Sequence, residues 1–130
     1  MFWATHDLLI EWRERGERQG DPFDLRVALI LANRNMDRAK GPQKGAAQLN
    51  LGNCRLAIGD RRADLTLLHA AEEAFRAALT AFPKGREPHN WAVCQGNLGL
   101  TLTILGARQK DPALLRAAIA AHRAALTIRS

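Results

Sequence analysis

Apolar and polar positions along this chain fall into amphipathic runs with helical spacing, separated by single glycines and Asp-Pro pairs. Gly16, Gly59 and Gly106 each follow such a run, as expected of a residue that takes positive φ just past a helix end. Asp21-Pro22 and Asp111-Pro112 then supply a side-chain cap and a first-turn proline, and Asp64 serves alone in the middle. The pattern predicts first helices near 5–15, 43–58 and 88–105, and second helices near 22–39, 64–82 and 112–128.

The runs are copies of one another. Shifted by 47 residues, Gln48–Thr80 lies on Gln95–Thr127 without a gap, and 17 of the 33 positions are identical. The identities include Asn50-Leu51-Gly52 on Asn97-Leu98-Gly99, Gly59 on Gly106, Asp64 on Asp111, and Arg76–Thr80 on Arg123–Thr127. Shared alanine content would not align glycines and aspartates. A more worn copy precedes them: a shift of 90 puts Gly16, Arg18, Gln19, Asp21, Pro22, Leu25, Arg26 and Ala28 on Gly106, Arg108, Gln109, Asp111, Pro112, Leu115, Arg116 and Ala118. The first spacing is therefore 43 rather than 47, and the missing residues fall around Gly41-Pro42. The expectation is one domain over residues 1–130, all-α, made of three helix-turn-helix copies over about 3–40, 41–86 and 87–130.

Leu51-Gly52, Gly59, Ala71, Phe75, Ala78-Leu79 and Pro83, repeated as Leu98-Gly99, Gly106, Ala118, His122 and Ala125-Leu126, resemble the tetratricopeptide repeat signature. The resemblance is strong from about residue 43 onward and weak before it. It implies an α-solenoid, a right-handed superhelical stack, whose first helices line a concave face where partner peptides lie. The departures are a period of 47 residues instead of about 34 and Gln48 and Gln95 where an aromatic is usual. Trp91, one turn earlier on the face of Gln95 and Leu98, is a candidate for that aromatic role. Leu9 stands where the later copies have a helix-packing glycine. Gly52 and Gly99 are expected to let the second helix approach near Ala71 and Ala118, with Leu51, Leu98, Phe75, Leu79 and Leu126 filling the layer between helices. Enlarging Ala71 or Ala118 to Leu is expected to overpack that crossing.

The resemblance places a partner-binding face on Trp3, His6, Ile10 and Arg13, on Ala46, Leu49, Asn53 and Leu56, and on Val93, Gly96, Asn97, Leu100, Thr103 and Ile104. That surface is apolar with sparse polar points, which suits an amphipathic helix or an apolar peptide. The plainer alternative is that neighbouring helices or a second copy cover some of these positions. Some family members grip a C-terminal carboxylate with lysines and asparagines. The matching positions hold His6, Ile10, Asn50, Val93 and Asn97, so the lysines are missing and no such clamp is expected. Asn50 and Asn97 read first as hydrogen-bonders between helices and second as ligand contacts.

Composition narrows the chemistry further. Apolar residues make up 47% and charged residues 25%, and Tyr is absent, which describes a globular helical chain. The net charge of +6 carries no aromatic stacking pattern with it, so nucleic acid is disfavoured as a partner. Cys54 and Cys94 have no CxxC or zinc spacing and read as small hydrophobes. Neither a signal peptide at Met1–Asp7 nor a membrane span is expected, and a cytoplasmic location is. His6, His69, His89 and His122 form no site, and His122, in the position of Phe75, reads as a core residue. Asp60–Arg62 and Arg108–Asp111 read as solvated turns, and Glu11, Glu14 and Glu17 as a surface edge. No cofactor, metal or catalytic group is expected.

The chain's last helix carries Leu114, Leu115, Ile119, Leu126 and Ile128, more apolar surface than one face can bury against its pair, and it reaches Ser130 without a polar capping helix. An open end of that kind is a contact site, and Met1-Phe2-Trp3 is its counterpart at the other end. The leading function is a non-catalytic scaffold that binds a protein or peptide. The alternative is a self-associating repeat, or part of a longer solenoid, that uses its apolar ends; a basic helical repeat that binds RNA comes third.

Overall fold

The structure, a computed structural model, describes residues 2–19 and 22–129. Six helices and no strand appear among them: α1 (Phe2–Gln19), α2 (Pro22–Arg38), α3 (Gln43–Arg62), α4 (Leu65–Ala81), α5 (Pro88–Gln109) and α6 (Pro112–Arg129). None of these is long and apolar enough to cross a membrane. The closest pairings are α1 with α2, α3 with α4 and α5 with α6, each between helices that follow one another in the chain. Between pairs, α2 packs on α3 and α4 on α5, while α1, α3 and α5 touch more lightly along one side.

The second helices begin where the sequence says. Asp64 Oδ1 accepts the Leu67 amide at 3.1 Å, and Asp111 Oδ1 accepts the Ala113 amide at 2.9 Å, which satisfies donors that the first turn leaves free. Pro112 opens α6 and Pro88 opens α5, positions that need no amide hydrogen. The expected cap at Asp21 lies outside the described residues.

The first helices end later than the glycines suggest. Gly16, Gly59 and Gly106 lie inside α1, α3 and α5, and Gly41 is the only described glycine with positive φ. The left-handed positions are Ala63, at φ 52°, and Lys110, at φ 53°. Just after them, the amides of Asp64 and Asp111 bond back to the carbonyls of Gly59 and Gly106 at 2.9 and 3.0 Å. The glycines serve packing instead. A methyl group on Gly16, Gly59 or Gly106 would sit 2.8–3.0 Å from the side chain of Leu25, Leu68 or Leu115, so each glycine lets the next helix start close to the end of the last. Asp60–Arg62 and Arg108–Gln109 accordingly belong to the last turns of α3 and α5 rather than to loops.

Inside each pair, the tight approach also differs from expectation. A Cβ on Gly52 would meet the Phe75 ring at 2.6 Å, and one on Gly99 the His122 ring at 2.8 Å, rather than Ala71 or Ala118. Those alanines are buried in the same cluster, with Phe75, Leu98 and Leu102. In the first copy the sizes are exchanged: Leu9 fills the glycine's position and Ala32 stands where Phe75 and His122 do, both fully buried together with Ala28, Leu51 and Cys54. Large against small is kept; only the side that supplies each is reversed.

Two expectations about the core are corrected. His122 is exposed, not buried, although its ring lies over Gly99. Leu126 is 60% exposed, whereas its counterparts Met36 and Leu79 are partly buried, because α2 and α4 have a helix packed beyond them and α6 has none. At the other end Phe2 is not an exposed contact: it is buried against Ala39 and Ala47, and Asn35 Nδ2 donates to its carbonyl at 3.3 Å.

Candidate binding clefts on the first helices

Two clefts lie along the side shared by α1, α3 and α5. The lower one, of about 550 Å³, is lined by Arg13, Glu17, Asn53, Leu56, Ala57, Asp60, Arg61, Asn97, Leu100 and Ile104. The upper one, of about 330 Å³, is lined by Trp3, His6, Ile10, Pro42, Ala46, Leu49, Asn50, Phe82 and Asn90. Of the residues expected on this face, Arg13, Asn53, Leu56, Asn97, Leu100 and Ile104 meet in the lower cleft, and Trp3, His6, Ile10, Ala46 and Leu49 in the upper. Val93, Gly96 and Thr103 line neither. Thr103 is exposed, and its hydroxyl donates to the Gly99 carbonyl at 2.8 Å.

Between the clefts runs a polar seam. Asn50 Nδ2 donates to His6 Nδ1 at 3.0 Å and to the Ala46 carbonyl at 3.0 Å, and Asn97 Nδ2 donates to Asn53 Oδ1 at 2.9 Å. The two asparagines hold equivalent positions, so each ties its first helix to the one before. A His6 Nδ1 that accepts from an amide carries no proton. Burial lowers the His6 pKa, Asp7 opposes this and Arg13 adds to it, which favours the neutral ring.

The lower cleft combines an apolar floor with paired charges. Leu56 and Ile104 are partly buried, and Leu100 is 47% exposed. Arg13 Nε lies 3.8 Å from Glu17 Oε1, too far for a hydrogen bond, and it is buried with no other acceptor. Arg61 Nη2 donates to the carbonyls of Gly16 and Glu17 at 3.3 and 3.2 Å. One copy on, Arg108 Nη2 donates to the Asp60 carbonyl and to Asp60 Oδ1, each at 2.9 Å. These arginines donate to carbonyls in the last turn of a first helix, where the helix dipole favours a cation, and hold successive first helices together.

No protein-family model, curated protein or solved structure matches this chain, so the site rests on its own geometry.

The sequence did not assign Glu17, Asp60 and Arg61 to this face, because the first helices were expected to stop at the glycines; Ala57, inside the expected helix, was also left off it. A signal for Arg61 was present: it aligns with Arg108 at the 47-residue shift and with Arg18 at 43. Among the described residues, no three His, Cys, Asp or Glu side chains gather as a metal site requires. Cys54 and Cys94 are buried. Burial pushes the Cys54 thiol up to about 12, against a smaller opposing effect of Arg13, and pushes Cys94 up to about 11, so neither is a ready nucleophile.

Proposed function

We propose that this chain is a short tetratricopeptide-like α-solenoid of three helix pairs that works as a non-catalytic scaffold, holding a protein or peptide along its first helices. The observation that carries this reading is the lower cleft, where Leu56, Leu100 and Ile104 offer an apolar floor beside the amides of Asn53 and Asn97. Apolar side chains with a few placed polar groups suit an amphipathic peptide, which gains affinity from burial and orientation from the polar contacts. The 47-residue copy, the Gly52–Phe75 and Gly99–His122 contacts and the order of helix packing support the stacked arrangement. The buried, high-pKa thiols argue against nucleophilic chemistry.

The test is affinity capture from source-cell lysate with wild type and Leu100→Arg, both first shown to be folded. A protein held by wild type and lost by Leu100→Arg places the partner in the cleft. Equal capture by both variants refutes the cleft as the binding site.

A further inference from the structure

We propose that copies of this chain associate head to tail, with α1 of one copy docking on the outward face of α6 of the next, in the register that α3 takes on α2 and α5 on α4. This does not depend on what the clefts bind.

The α6 face is the one that earlier copies bury. Leu115 is 37% exposed, whereas Leu25 and Leu68, its equivalents, are 1% and 0% exposed. His122 is exposed, and its equivalents Ala32 and Phe75 are fully buried. A first helix laid on α6 as α5 is laid on α4 would cover both.

The arginine clasp has an unused half at each end. Arg61 reaches the carbonyls of Gly16 and Glu17, and Arg108 reaches that of Asp60. Their counterpart in the first copy is Arg18, exposed near the end of α1. The carbonyl equivalent to those of Glu17 and Asp60 belongs to Ala107, exposed in the last turn of α5. Docking in the repeat register brings Arg18 of one copy to Ala107 of the other.

The two faces also depart from the internal pattern in matching ways. Where α3 has Leu51 and Cys54, and α5 has Leu98 and Thr101, α1 has Leu8 and Glu11. Cys54 packs in the cluster that holds Ala28 and Ala32. The same register sets Glu11 beside Ala118 and His122, a carboxylate opposite the one ring that breaks the apolar series. The wider charge agrees, since α6 has Arg116, Arg123 and Arg129 and no acid, while α1 carries four acids against three arginines. Because Glu11 and Arg15 replace residues that the internal junctions bury, the contact is more polar than those junctions and suits reversible association. Such a heterologous contact uses different faces on the two copies, so nothing in it limits growth to a pair.

The experiment is sedimentation velocity on the chain over a wide concentration range, with Leu8→Arg, which blocks the α1 face, and Ile119→Arg, which blocks the α6 face. Both residues are exposed, at 44% and 51%, so neither change enters the core, and far-ultraviolet circular dichroism checks the helices. The expected result is a wild-type mass that climbs past two chains, each variant alone a monomer, and an equimolar mixture that forms one-to-one pairs through the intact face of each. A wild type that stays monomeric overturns the proposal. So does a Leu8→Arg variant that still self-associates, which would mean that α6 pairs with α6, or a mixture that forms no pairs.

Discussion

At Gly52 the missing side chain is what matters: the Phe75 ring, fully buried, occupies the place a methyl would take, 2.6 Å from it. Gly52→Ala should therefore force ring or helix to shift, at about 1–3 kcal/mol in urea unfolding. Gly99→Ala presents the same clash to His122, but that ring is exposed and can swing outward, so the smaller loss is expected there. Equal losses would show that backbone approach, rather than the facing ring, sets the cost. Cys54 gives a second residue-scale prediction. Its thiol ionises near 9.0 when exposed and near 12 when folded, so above pH 9 the unfolded chain releases its proton first. Stability that is fully present below pH 9 should then be lost as pH rises toward about 12, and Cys54→Ala should flatten that slope in alkaline melts. That glycine packs against the paired helix was legible in the sequence. Which side chain it meets was not, because Ala71 and Phe75 are one turn apart on the same face and periodicity does not choose between them.

All six helices and their order could be read from the sequence, and the second helices were placed almost to the residue because aspartate caps and prolines mark their starts. The ends of the first helices were misread. Glycine in a helix-turn-helix unit has two uses, positive φ or close approach, and at Gly59 and Gly106 the second applies. The left-handed residue lies four positions further on, at Ala63 and Lys110, which bear side chains in a conformation that costs about 1–2 kcal/mol. Ala63→Gly should thus raise the melting temperature, with a net gain of about 0.5–1 kcal/mol once the looser unfolded chain is counted. A lower melting temperature would mean that the Ala63 methyl makes contacts worth more than the strain.

For the whole molecule, the order of helix packing matters most. Pairs joined through α2–α3 and α4–α5 leave α1, α3 and α5 side by side, so residues from helices far apart in the chain share one cleft. Most of that cleft could be named in advance from the repeat together with the family resemblance, and its charged rim could not, since Glu17, Asp60 and Arg61 belong to turns of helix the glycines hid. Leu100→Arg, the change that tests the cleft, should leave thermal unfolding almost untouched because Leu100 is half exposed.

The reversal of sizes at Leu9 and Ala32 bears on a hazard of repetitive chains, which is that a helix can marry the wrong mate. If α1 took α4 as its hairpin mate, Leu9 would collide with Phe75; if α2 took the place of α4 as the hairpin mate of α3, Gly52 would face Ala32 across a void. Both errors are penalised, one by crowding and the other by lost contact. The first pair therefore carries its own lock and key, and a chain with three similar hairpins has a built-in way to tell its beginning from its middle.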